Sequence, residues 1–114
     1  MNSNNQPPKV TIGMPVYNGE KFLCNALDCL LAQSHTNLEL IISDDASTDS
    51  TSKICTEYAA KDSRIKYIRH TKNLGIESEA GFTPLPNFNF VLNQASSPYF
   101  MWACLLYTSD AADE

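Results

Sequence analysis

The sequence predicts an α/β fold, a parallel sheet with helices packed against it. Three observations carry that prediction. Short apolar, β-branched runs alternate with stretches of helical period, in the order β-α-β-α-β-α-β. The runs are separated by small clusters of Asn, Gly, Ser, Asp and Pro that form turns. The 114 residues are 43% hydrophobic and include five Phe, five Tyr and one Trp, enough for one domain with a core.

The first strand is residues 9–14 (K-V-T-I-G-M), ended by Pro15 and the turn Tyr17-Asn18-Gly19. From Glu20 the period changes. Leu23, Leu27, Leu30, Leu31 and Ser34 follow one helical face, and the helix is expected to end by Ser34-His35. Asn18 is its expected N-cap, and Glu20 stands near its positive end. Residues 38–43 (L-E-L-I-I-S) are apolar enough for a strand covered on both faces. Asp44-Asp45-Ala46-Ser47-Thr48-Asp49 then forms a loop into a second helix, with Ser47 or Asp49 as cap. Ile54, Cys55, Tyr58 and Ala59 give that helix its apolar face, and Lys61-Asp62-Ser63 ends it. Residues 64–70 (R-I-K-Y-I-R-H) alternate less cleanly and read as a strand near a sheet edge. Residues 71–86 read as one loop, longer than the usual connection. Phe88, Val91, Leu92 and Ala95 mark a third helix, and residues 99–103 (Y-F-M-W-A) a fourth strand.

Right-handed crossovers give a strand order of 3-2-1-4, a Rossmann-like half of a doubly wound sheet. Ligands of such sheets lie outside the carboxyl ends of the strands, where the order reverses. Here that is the edge carrying the loops after strands one and two.

Composition excludes several classes. Eight basic residues against thirteen acidic, net charge −5, give no footprint for nucleic acid. No apolar run approaches the roughly 18–20 residues of a membrane span. Residues 1–8 are polar, read as a disordered N-terminus, and have no signal-peptide core. The four cysteines form no C-x-x-C pair and suit reduced thiols of a cytosolic protein. His35 and His70 are isolated and read as surface or loop residues. The last eleven residues, C-L-L-Y-T-S-D-A-A-D-E, have no turn signal or helical stripe. Reverse-translated, they resemble a sequencing-library adapter, so 104–114 is expected to be a non-native tail, and residues 9–103 part of a longer domain.

Two loops carry the candidate chemistry. In Met14-Pro15-Val16-Tyr17-Asn18-Gly19, Tyr17 can offer a flat face to a planar base, and the helix N–H groups beyond it can meet an anion. The plain alternative is a core aromatic and an ordinary turn. In Asp44-Asp45, successive side chains leave a strand on opposite faces, so only one should enter a shared site. A carboxylate there can accept from a base N–H or from sugar hydroxyls; the plain alternative is an acidic helix-cap loop. Neither loop is a G-x-G-x-x-G or G-x-x-x-x-G-K-[ST] phosphate loop.

Taken together, V-T-I-G-M-P-V-Y-N-G-E, L-E-L-I-I-S-D-D-A-S-T-D-S-T and R-H-T-K-N-L-G-I resemble the N-terminal half of a family 2 glycosyltransferase of GT-A fold, over residues 9–103. The resemblance implies transfer of a sugar from a nucleoside diphosphate donor, usually UDP-linked, to an acceptor hydroxyl on a carbohydrate or lipid-linked acceptor. It implies that Pro15 and Tyr17 pack on the donor base and that Asp45 hydrogen-bonds it. Asp44 and Asn18 would help to shape the site, and Asn73-Leu74-Gly75 would match the turn after strand three. It implies a cytoplasmic domain serving cell-surface polysaccharide synthesis, with the complete protein membrane-associated in some members. Three departures stand out. Asn87 occupies the nearest equivalent of an arginine that contacts the donor diphosphate in several relatives. Residues 77–86 exceed a minimal family loop. The Mn²⁺- or Mg²⁺-binding D-x-D implied just after strand four has no counterpart, and Asp110 and Asp113 form a D-x-x-D that is not assigned to metal. With no catalytic base matched, the chain is expected to bind donor without transferring sugar. The alternatives from other classes are a receiver-like signalling module, whose acids would follow strand one rather than strand two, and a dinucleotide enzyme, which would carry the glycine fingerprint.

Overall fold

The computed structural model describes residues 9–72, 74, 76–78, 81–83 and 85–103. The expected disordered N-terminus at 1–8, the tail at 104–114, and Asn73 and Gly75 of the expected turn lie outside the described residues. The elements are β1 (Val10–Val16), α1 (Glu20–Leu31), β2 (Leu38–Asp44), α2 (Thr51–Lys61), β3 (Ile65–Arg69), β4 (Ile76–Ser78), β5 (Gly81–Thr83), α3 (Leu85–Gln94) and β6 (Tyr99–Trp102). The main sheet is parallel, in the order β3-β2-β1-β6. This is the expected 3-2-1-4, with β6 as the fourth strand.

Strand parity divides the sheet into two layers. Ile12, Met14 and Val16 of β1 and Leu38, Leu40 and Ile42 of β2 face α1 and α2, where Leu23, Leu27 and Cys55 complete the core. Leu23 and Leu27 are fully buried, one helical turn apart. Each such side chain contributes about 1.5–3 kcal/mol of burial. The opposite face carries Gly13, Pro15, Ile41 and Ser43 and is covered by α3. Gly13 is required there, because a Cβ would lie 2.5 Å from Val91 Cγ1 and 2.7 Å from Phe100 Cζ.

Three expectations are corrected. β1 runs through Pro15 to Val16 instead of ending before it. Its register explains the tolerance. The Ala103 N–H donates to Gly13 O, so Gly13 and, by alternation, Pro15 point their backbone groups toward β6. The β6 ladder extends only to Gly13, so the N–H that proline lacks has no ladder partner to lose. Second, Ser34, expected on the face of α1, lies beyond it: the helix ends at Leu31, within the expected bound of Ser34-His35. Arg64 serves one carbonyl that the helix end leaves open, donating to Leu31 O at 3.3 Å, and also donates to Thr36 O at 3.2 Å in the connection to β2. Third, the expected long loop contains an antiparallel ribbon, β4 with β5, pairing Ile76 with Thr83. Three-residue strands are too short to show a period of two in sequence. β3 is an edge strand as expected, with Lys66 and Arg69 exposed along it.

Candidate nucleotide site

The carboxyl ends of β1, β2 and β3 bring the two chemical loops together. The Asp45 N–H donates to Val16 O at 2.9 Å. That single bond sets Tyr17, the next residue in the chain, beside Asp45. Tyr17 is half-buried at this edge. Asp44 and Asp45 point to opposite sides, as strand alternation requires. On the α2 side, Asp44 Oδ1 accepts from Ser47 N at 2.9 Å and Oδ2 from the Tyr67 hydroxyl at 2.6 Å. On the other side, Asp45 Oδ1 accepts from Leu74 N at 2.6 Å. Both aspartates are fully buried. Pro15 is buried too, a strand residue paired with Ser43.

The loop between Asp44 and α2 makes a sharp reversal. Ala46 has φ 60°, in the left-handed region. Its N–H bonds Asp44 O, and the Asp44 carboxyl catches the next N–H. Burial, followed by the Asp44 contact, pushes the Tyr67 hydroxyl above its ordinary pKa. Burial also pushes the Cys55 thiol up to about 12, with Asp44, Asp49 and Cys24 adding to it.

Asn18 does not cap α1. The N-cap is Gly19, and no side-chain cap bond forms there. Instead the starts of α1 and α2 cap each other. The N–H groups of Asn18, Gly19 and Glu20 donate to Ser47 Oγ (2.8 Å), Thr51 Oγ1 (2.9 Å) and Asp49 Oδ2 (3.3 Å). In return Asn18 Oδ1 accepts from Thr48 N (2.8 Å) and Asp49 N (3.3 Å), and Glu20 Oε1 from Ser50 N (2.9 Å). Neither cap candidate for α2 is its N-cap, which is Ser50; Asp49, one residue earlier, accepts from Thr51 N at 2.9 Å, and Ser47 serves Asn18. The N–H groups of Asn18, Gly19 and Glu20, at the place where an anion was expected, are therefore spent on side chains.

Asn87, at the position where an arginine was sought, turns inward. It is fully buried, accepts from Ser43 Oγ at 2.7 Å and donates Nδ2–H to Ser43 O at 3.0 Å. His70, read as a surface or loop residue, joins this network. Its Nε2 lies 2.8 Å from Ser43 Oγ and its ring stands edge-on to Phe90. Ser43 gives its one hydroxyl proton to Asn87, so His70 supplies the Nε2–H. Only the alternation that turns Ser43 toward α3 hinted at this cluster.

Among the described residues no group of three His, Cys, Asp or Glu side chains converges for a metal ion. Asp44 and Asp45 face apart and do not form a metal pair. Among the same residues no helix is long and apolar enough to cross a membrane. A separate cleft of about 430 Å³ opens at the amino ends of the strands, lined by Lys9, Glu39, Arg64 and Lys66 among others. Its charges are partly spent in the Lys9–Glu39 and Arg64–Asp62 pairs.

The family model for glycosyl transferase family 2 matches residues 11–103. The chain belongs to glycosyl transferase family 2. That membership sets aside the receiver-like and dinucleotide alternatives. Within the family, it is 40% identical over 81 residues to glycosyltransferase GlyA of Streptococcus pneumoniae, covering 71% of this chain and 11% of that protein. It is 35% identical over 94 residues to chondroitin synthase of Escherichia coli, covering 82% of this chain and 14% of the synthase. Among solved structures, TarS 1-349 of S. aureus in complex with UDP-GlcNAc superposes with a TM-score of 0.68 at 26% identity, covering 92% of this chain and 29% of that one. The chain thus spans less than a third of each of these relatives. The sheet order and flanking helices are those of the GT-A fold.

Proposed function

We propose that this family 2 chain is the donor-binding part of an enzyme that transfers a sugar from UDP to a hydroxyl of a carbohydrate or lipid-linked acceptor. The observation that carries the reading is the 2.9 Å bond from Asp45 N to Val16 O, which joins an aromatic and a carboxylate at the topological switch of the sheet. Tyr17 supplies a face for the base, and Asp45 accepts from its N–H. Pro15 supports from beneath. Asp44 and Asn18 act through the loops they hold. The Leu74 N–H stands on Asp45 Oδ1 as a base N–H would, so donor entry shares or exchanges that contact. A uracil donor is favoured by the UDP-GlcNAc complex of the TarS relative. Polysaccharide synthesis is favoured by the chondroitin synthase relative.

Transfer belongs to the whole protein in this reading. The divalent cation expected for the donor diphosphate finds no ligand set among the described residues, and no step is assigned to it. No described carboxylate is assigned as the base for the acceptor hydroxyl.

The test is the affinity of the chain and of Asp45→Ala for UDP by calorimetry. A hydrogen bond to a charged group is worth about 1.5–3 kcal/mol, so the variant should bind roughly 10-fold more weakly or worse. Equal affinity of both proteins for UDP would remove Asp45 from the site and the reading with it.

A further inference from the structure

We infer that Asn18 is a positioning residue: its side chain locks the Tyr17 loop to the Asp45 loop, so that the two halves of the nucleotide site move as one body. The inference rests on the donor-binding reading above, and names a device that reading does not require.

Asn18 stands at φ 52°, a conformation that Asn tolerates better than most residues. In that conformation its backbone and side chain engage one partner loop. The N–H reaches Ser47 Oγ, and the side-chain oxygen takes the N–H groups of both Thr48 and Asp49. Two residues along, Glu20 repeats the exchange, its N–H donating to Asp49 Oδ2 and its side chain accepting from Ser50 N. Each loop thus satisfies N–H groups of the other that lie at or just before the start of its helix. Loss of one partner exposes donors on both sides together. The residues on either side of the lock are those that would meet the donor. Tyr17 precedes Asn18, and Asp45 begins the segment that holds Ser47 and Thr48. The carboxamide oxygen is already occupied by the partner loop, and a direct contact with the donor would have to use the Nδ2–H groups, which Asn18→Asp removes.

Three variants of the 114-residue chain test this. Asn18→Gly keeps the left-handed backbone and removes the acceptor. Asn18→Asp keeps the acceptor and removes the amide donors. Tyr58→Phe removes the 2.7 Å bond to Asp28 that joins α1 and α2 away from the site. Two readouts are taken, the UDP dissociation constant and amide hydrogen exchange at Thr48 and Asp49 without ligand. Binding is measured at 1 M salt, where charges are screened beyond about 3 Å, so that the added carboxylate of N18D is not itself the effect. Asn18→Gly should weaken UDP binding about 10-fold and speed exchange at both amides. Asn18→Asp should keep the exchange protection and bind within 3-fold of wild type. Tyr58→Phe should lower the melting temperature and leave UDP affinity unchanged.

The inference is overturned if Asn18→Gly binds UDP like wild type, or if Tyr58→Phe weakens binding as much, which makes the effect general destabilisation. It is also overturned if Asn18→Asp keeps protection and loses UDP, which makes Asn18 a direct contact. A wild-type chain that binds no UDP overturns the donor-binding reading; unchanged exchange in Asn18→Gly overturns the lock by itself.

Discussion

The Tyr67 hydroxyl donates to Asp44 Oδ2 at 2.6 Å, tying the edge strand β3 to the last residue of β2 directly beneath the candidate site. The other oxygen of Asp44 holds Ser47 N. One fully buried carboxyl therefore braces both a strand and a loop.

Tyr67→Phe should accordingly destabilise the chain by about 1–3 kcal/mol, the cost of stranding a buried acceptor. Urea unfolding measures it, with an unchanged slope. A midpoint equal to wild type would show that Asp44 does not depend on this bond.

Ala46→Gly should stabilise. Alanine in the left-handed region costs about 1–2 kcal/mol, and the extra freedom of glycine in the unfolded chain returns about 0.5–1 of that. The net expectation is a gain of roughly 0.5–1 kcal/mol in the same urea assay. A loss would mean that the Ala46 methyl makes a packing contribution larger than its backbone cost.

Much of this architecture was legible in sequence, and for local reasons. Leu23 and Leu27 mark the buried face of α1 because four residues make about one turn. Asp44 and Asp45 part to opposite faces because strand side chains alternate. The mutual capping was not legible, since Asn18 and Thr48 lie thirty residues apart and Asn before a helix reads equally well as its own N-cap. Asn87 and His70 escaped for the same reason, Asn87 finding Ser43 through the contact of α3 with the sheet and His70 through the pairing of β3 with β2. The β4–β5 ribbon escaped because three residues carry no usable period.

Stability should fall in alkali. Folded Cys55 and Tyr67 hold their protons to higher pH than the unfolded chain does, near 8.5 and 10 as ordinary values. Their contribution is complete below those unfolded values and disappears as pH climbs toward the folded ones. The urea midpoint should therefore decline between about pH 8.5 and 11. At pH 8, iodoacetamide should modify the exposed Cys24 and Cys29 well before the buried Cys55. A flat midpoint, or Cys55 reacting as fast as Cys24 and Cys29, would show that the interior opens readily.

The central claim is that a uracil nucleotide binds at the carboxyl edge of the sheet. The most direct measurement is a titration of the ¹⁵N-labelled chain with UDP, followed amide by amide. The account predicts saturable shifts centred on Tyr17, Asp45 and Leu74, with the Leu74 amide strongly affected because it shares the Asp45 carboxyl with the base. Shifts confined to Lys9, Arg64 and Lys66 around the cleft at the opposite edge, or none at all, would contradict it.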